Sequence, residues 1–178
     1  MAYIDLISSV HTSTRRNYLE RVTSTDKAAA AEVALRFDHE YWDGDRAYGY
    51  GGYKYDGRWR VIAQRIAKQY GLTAGHKVLD VGCGKGFLLY ELTQVIPGLQ
   101  IAGLDISAYA LENAKPEVQP YLMQGHAREL PFSDKSFDLV YSINTLHNLF
   151  LNDLWPAVSE IERVGGAKHI TVEAYRTE

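Results

Sequence analysis

Cysteine is almost missing from this chain. Cys83 is the only one in 178 residues, so no disulfide can close within the chain and no thiolate cluster can hold a metal. A field of positive charge is missing too. The net charge is -3 and no Lys/Arg block is longer than Arg15-Arg16, which argues against a nucleic-acid partner. Apolar runs fall well short of the roughly 20 residues that span a bilayer, and the polar N-terminus has no signal-peptide core. The expectation is a cytoplasmic protein without membrane contact. Repeats and low-complexity tracts are absent, and the carboxylates around Asp43 lack metal-ligand spacing, so no metal is expected.

What is present points to one folded unit. Hydrophobic residues are 46% and charged residues 23% of the chain, a soluble globular mixture rather than a disordered one. The length suits one domain with an N-terminal extension. Ser8 to Phe37 reads as helix, broken near Thr23 to Asp26, and Asp38 to Gly57 holds five glycines among crowded tyrosines and reads as an ordered loop. Trp59 to Tyr70 recovers helical periodicity and stops at Gly71. Residues 1–70 therefore form N-terminal helices and a Tyr/Gly-rich loop, and residues 71–178 form the main layered part of the same unit.

In that main part strands alternate with helices. Lys77 to Val81, Ile101 to Ile106, Tyr121 to Gln124, Phe137 to Ile143 and Lys168 to Tyr175 read as strands. Gly86 to Ile96, Ala108 to Ala114 and Asp153 to Val164 read as helices. The order predicts an α/β fold: a Rossmann-like, mostly parallel sheet of about five strands with helices on both faces.

The run Val78-Leu79-Asp80-Val81-Gly82-Cys83-Gly84-Lys85-Gly86-Phe87 carries the chemistry. Glycines at 82, 84 and 86 let the backbone turn sharply after a strand and bring a ligand to a helix N-terminus. A dinucleotide turn reads Gly-x-Gly-x-x-Gly. Here the third glycine comes one residue early, and Asp80 before the turn suits a ligand bearing an ammonium group better than one bearing two phosphates. Asp105, nineteen positions after Gly86, ends the second strand, where a carboxylate can accept hydrogen bonds from both ribose hydroxyls, and Ile106 beside it could pack on a purine. Glycines mark any tight turn, however, and Asp105 could equally cap the next helix.

With VLDVGCGKGFLL, GLDIS at Gly103 to Ser107 and LPFSDKSFDLVYSINTLHNL at Leu130 to Leu149, the chain resembles the class I S-adenosylmethionine-dependent methyltransferases of small molecules, from about Val78 to Tyr175. The resemblance implies S-adenosyl-L-methionine as cofactor. It implies that Asp80, Gly82, Cys83, Gly84 and Gly86 hold the methionine part, that Asp105 holds the ribose, and that Gly125-His126-Ala127 faces adenine. His126 departs from the Asp or Asn usual there. The loop after the fourth strand would lie under the sulfonium, which makes Asn144 and His147 candidates for the reaction centre, with His147 suited to removing a proton. Equally, His147 could simply start the next helix.

The tyrosine-rich loop is expected to form a lid, with Trp42, Tyr48, Tyr50, Tyr53 and Arg58 toward substrate and cofactor, joined by Tyr55, Asp43, Asp45 and Arg46. Aromatic packing onto the sheet accounts for most of these rings without any ligand. The resembled family has two further strands beyond the fifth. An apolar fifth strand without an outer partner predicts a homodimer through Ile170 to Tyr175. Three functions compete: methyl transfer to oxygen or nitrogen of a small molecule, a non-catalytic S-adenosylmethionine-binding module or truncated methyltransferase, and an NAD-dependent oxidoreductase, against which the glycine spacing counts.

Overall fold

The computed structural model describes residues 4–7 and 27–172. Much of the expected first helix, including its break near Thr23 to Asp26, and the end of the expected fifth strand lie outside the described residues. Helix α1 spans Lys27–Ala34 and stops three residues short of the predicted end at Phe37, which takes φ of 49° and turns the chain away. The glycine-rich segment contains a short helix that the sequence does not announce. This α2 covers His39–Trp42; the Asp38 carboxylate caps it by accepting from the Glu40 N–H at 3.0 Å. Helix α3 covers Trp59–Tyr70 and ends on Gly71 in a left-handed conformation that only glycine adopts without cost.

Strand β1 (Lys77–Val81), helix α4 (Phe87–Val95), strand β2 (Gln100–Asp105), helix α5 (Ala108–Glu112) and strand β3 (Leu122–Gln124) follow. Strand β4 (Phe137–Ile143), helix α6 (Leu151–Val164) and strand β5 (Gly165–Thr171) complete the sheet. The strand order is β3-β2-β1-β4-β5 and every pairing is parallel. The fold is thus the Rossmann-like α/β arrangement that the sequence predicts.

β1 is buried on both faces. Val78 joins Ile62, Ile66, Leu89 and Leu92 under α3 and α4, while Leu79 and Val81 join Ala157, Ile161 and Val164 under α6. Because β1 lies between β2 and β4, the chain reverses its direction of winding there. Ligand crevices open at such a point, beyond the carboxyl ends of the strands. β5 begins directly from α6, three residues earlier than predicted. Gly165-Gly166-Ala167 carries too little side chain to signal a strand, yet the ladder pairs Gly165 with Phe137. Among the described residues, no helix is long and apolar enough to cross a membrane.

Candidate active site

A cavity of about 580 Å³ lies at the carboxyl ends of β1, β2 and β4, within the size range of small-molecule sites. The glycine turn forms its floor. Gly82 and Gly84 have φ of 88° and 53°, values disfavoured for residues with side chains. Their missing side chains are occupied by the protein itself. A methyl group on Gly82 would lie 2.1 Å from Thr145 Oγ1, and one on Gly84 would lie 2.7 Å from the Trp42 ring. The turn is therefore shaped to receive the loop after β4 on one side and the lid on the other.

Asp105 is buried at the cavity wall. One carboxylate oxygen accepts from the Gly84 N–H at 2.7 Å and the other from the Ser107 N–H at 2.9 Å. Each oxygen keeps lone-pair capacity for a second donor. Burial raises the Asp105 pKa while these backbone bonds pull it down. Asp80 is also buried, and burial pushes its carboxyl well above the ordinary range; Tyr141 opposes the shift and nearby Asp105 adds to it. Tyr141 is the register partner of Asp80 on β4. Its hydroxyl acts on the carboxylate without reaching ordinary hydrogen-bond geometry. Burial first, then the two carboxylates, pushes the Cys83 thiol well above its ordinary range.

The lid is bolted to this floor. Lys85, only 5% exposed, holds Asp43 at 2.6 Å, and the Tyr109 hydroxyl donates to the same carboxylate oxygen at 2.8 Å. The Tyr53 N–H donates to the other oxygen. Burial would raise the Asp43 pKa, but these bonds outweigh it and hold the carboxyl below its ordinary value. The Trp42 indole N–H donates to Ser107 Oγ at 2.9 Å and to the Phe37 carbonyl at 3.2 Å. Tyr50 stacks on Trp42 with centroids 5.2 Å apart, and Tyr53 stacks on Phe87 at 5.0 Å.

Residues 79–167, half of the chain, match the family described as a methyltransferase domain. The chain belongs to that family. Among relatives, it is 29% identical to the 27-O-demethylrifamycin SV methyltransferase of Amycolatopsis mediterranei over 71% of this chain and 46% of that protein. It is 36% identical to a demethylmenaquinone methyltransferase of Staphylococcus aureus over 59% of this chain and 45% of that one. The chain spans less than half the length of these curated relatives. A solved putative S-adenosyl-L-methionine-dependent methyltransferase of Methanococcus maripaludis shares the fold at a TM-score of 0.55 and 21% identity, over 89% of this chain and 66% of that one.

In this methyltransferase domain the cavity gathers Asp80, Gly82, Cys83, Gly84, Asp105 and Ile106 along the floor. His126, Ala127 and Asn144 line it, and so do Trp42, Tyr50, Tyr53 and Arg58 from the lid. Gly86, Tyr48 and His147 are not on its wall. Gly86 starts α4 and lies against Val118 and Leu122, where its missing side chain serves helix-to-sheet packing. His147 sits exposed in a 3-10 turn, Leu146–Asn148, while its neighbours Asn148 and Leu149 reach the cavity. Both ring nitrogens of His126 have protein neighbours: Nδ1 accepts from the Arg128 N–H, and Nε2 lies 3.7 Å from Asp153. Asn144 takes φ of 54°, and its buried side-chain oxygen has no hydrogen-bond partner. Such a combination is found where a site imposes it. Among the residues the sequence did not single out are Lys85 and Tyr109 of the lid bolt, and Lys54, Thr145 and Asn148 on the cavity wall.

Proposed function

We propose that this domain binds S-adenosylmethionine and transfers its methyl group to an oxygen or nitrogen of a small molecule. The observation that carries the reading is Asp105: a buried carboxylate at the end of β2, fixed by Gly84 and Ser107, with one acceptor position left on each oxygen beside the cavity. When bound, the cofactor supplies an electrophilic methyl group on a sulfonium.

The chain's own groups fit that cofactor. Asp105 would accept from the ribose hydroxyls, Asp80 would meet the ammonium group, and Leu104 with Ile106 offers apolar contact to the purine. The raised pKa of Asp80 marks a carboxyl that gains from a cation beside it. Asn144, with its unpartnered oxygen, would orient the acceptor's O–H or N–H. The lid rings exclude water. Positioning of this kind supplies much of the rate of a transfer to a good nucleophile, and the base role considered for His147 is left out because its side chain is off the cavity wall.

The test is transfer of labelled methyl from S-adenosylmethionine to a panel of small phenols, amines and carboxylic acids. The reading predicts a labelled product, reduced about 10–100-fold in Asn144→Ala with S-adenosylhomocysteine affinity kept. Binding without transfer to any member would leave a non-catalytic binding module.

A further inference from the structure

The charges on the cavity wall are sorted by side. The floor contributes two carboxylates, Asp80 and Asp105, whereas the lid contributes three cations, Arg46, Lys54 and Arg58. None of the lid's own carboxylates lines the cavity. Asp43 is turned to Lys85 and Tyr109, Asp45 accepts from the Ala47 N–H, and Asp56 accepts from Arg58. On the lid side the cavity wall is therefore positive, with Lys54 and Arg58 also exposed to solvent, and the lid's carboxylates lie off that wall.

We infer that the methyl acceptor carries an anionic group, a carboxylate or a phosphate, bound by Lys54 and Arg58 on the lid side of the cavity. This rests on reading the cavity as a methyl-transfer site. Among the described residues, Lys54 has no carboxylate partner. Arg58 spends its Nε and one terminal nitrogen on Asp56, at 2.7 and 2.5 Å, which fixes the guanidinium and leaves its other terminal nitrogen able to donate. Arg46 donates to the Tyr50 carbonyl and so holds the loop between them. Tyr53 and Trp59 flank the two cations in sequence and also line the cavity, so an aromatic or otherwise flat acid would find rings beside its charge. A donor of S-adenosylmethionine type is cationic at its sulfonium and ammonium and brings one carboxylate of its own. That carboxylate can engage Arg46, which leaves Lys54 and Arg58 for the acceptor.

Calorimetry on the protein saturated with S-adenosylhomocysteine tests this, using 4-hydroxybenzamide, 4-hydroxybenzoate and phenyl phosphate as probes. The two anions should bind at least about tenfold tighter than the amide at low salt, and the tighter of the two identifies the group. The advantage should fall several-fold in Lys54→Gln and vanish in the double variant Lys54→Gln/Arg58→Gln, while S-adenosylhomocysteine affinity stays within about twofold. Equal binding of amide and anions, or no binding of any probe at millimolar concentration, would overturn the inference. So would a double variant that loses S-adenosylhomocysteine and keeps the anion preference, since the cations would then serve the donor. Failure of wild-type protein to bind S-adenosylhomocysteine is a separate result, directed at the methyl-donor reading, and the anion preference can still be measured without it.

Discussion

The Cη2 atom of Trp42 lies 2.7 Å from where a methyl group on Gly84 would stand. Trp42 thus packs directly against the glycine turn. Hydrogen bonds from the indole to Ser107 and Phe37 prevent the ring from swinging aside.

Gly84→Ala should therefore be costly twice over, through collision with a held ring and through a left-handed backbone. Overpacking of this kind costs about 1–3 kcal/mol, and a chain of this size loses about 2–4 °C of Tm per kcal/mol. Thermal unfolding should show a clear drop in Tm, and S-adenosylhomocysteine binding should weaken with it. An unchanged Tm would show that Trp42 yields freely.

Lys85→Met should loosen the lid without opening the sheet. Losing a bond to a charged group costs about 1.5–3 kcal/mol. In the folded protein the Asp43 carboxyl sits below its ordinary value, so its bonds contribute stability above that value and lose it as pH falls through the lower folded pKa. Without Lys85 the folded pKa rises, and the acid transition followed by near-ultraviolet circular dichroism should move to higher pH. A transition at the wild-type pH would remove Lys85 from the bolt.

Asp80 runs the other way. Its folded pKa is raised by burial, so its contribution to stability is complete below 3.8, the ordinary value, and is lost as pH rises through the folded pKa. Asp80→Asn should make the ligand-free protein more stable at neutral pH by about 0.5–2 kcal/mol and flatten that pH dependence. The same change should weaken S-adenosylhomocysteine about tenfold or more. Stability and binding falling together would mean that Asp80 serves the fold alone.

Among the described residues the outer edge of β5 has no strand beside it, and Ile170 is 40% exposed there. We propose that two copies pair along this edge. Sedimentation at micromolar concentration should show a dimer that Ile170→Lys reduces to monomer, and a clean wild-type monomer would end the proposal.

How far the sequence could be read depended on what held each element. β1, β2 and β4 stand within a residue of expectation because each places apolar side chains on both faces, interrupted by single residues such as Asp80, Gly103 and Asp138. The start of β5 was hidden because Gly165 and Gly166 are ordered by the ladder to Phe137, not by their own side chains. α2 was hidden because a four-residue helix depends on the Asp38 cap and on Trp42 packing across Gly84. Asp105 was legible from its place at the end of a strand. The bolt was not, since Asp43 reaches Lys85 42 positions away and Tyr109 66 positions away, distances at which no local spacing carries a signal. His147 drew notice for its chemistry, whereas the turn geometry directs Asn148 to the cavity instead.

The central claim is that the turn at Gly82 to Gly84 and the carboxylate of Asp105 hold S-adenosylmethionine. Calorimetry with S-adenosylhomocysteine and with NAD, on wild type and Asp105→Ala, tests it most directly. The account predicts saturable binding of S-adenosylhomocysteine, none of NAD, and a loss of at least about tenfold in the variant. Binding of NAD in preference, or equal affinity of wild type and Asp105→Ala for S-adenosylhomocysteine, would contradict it.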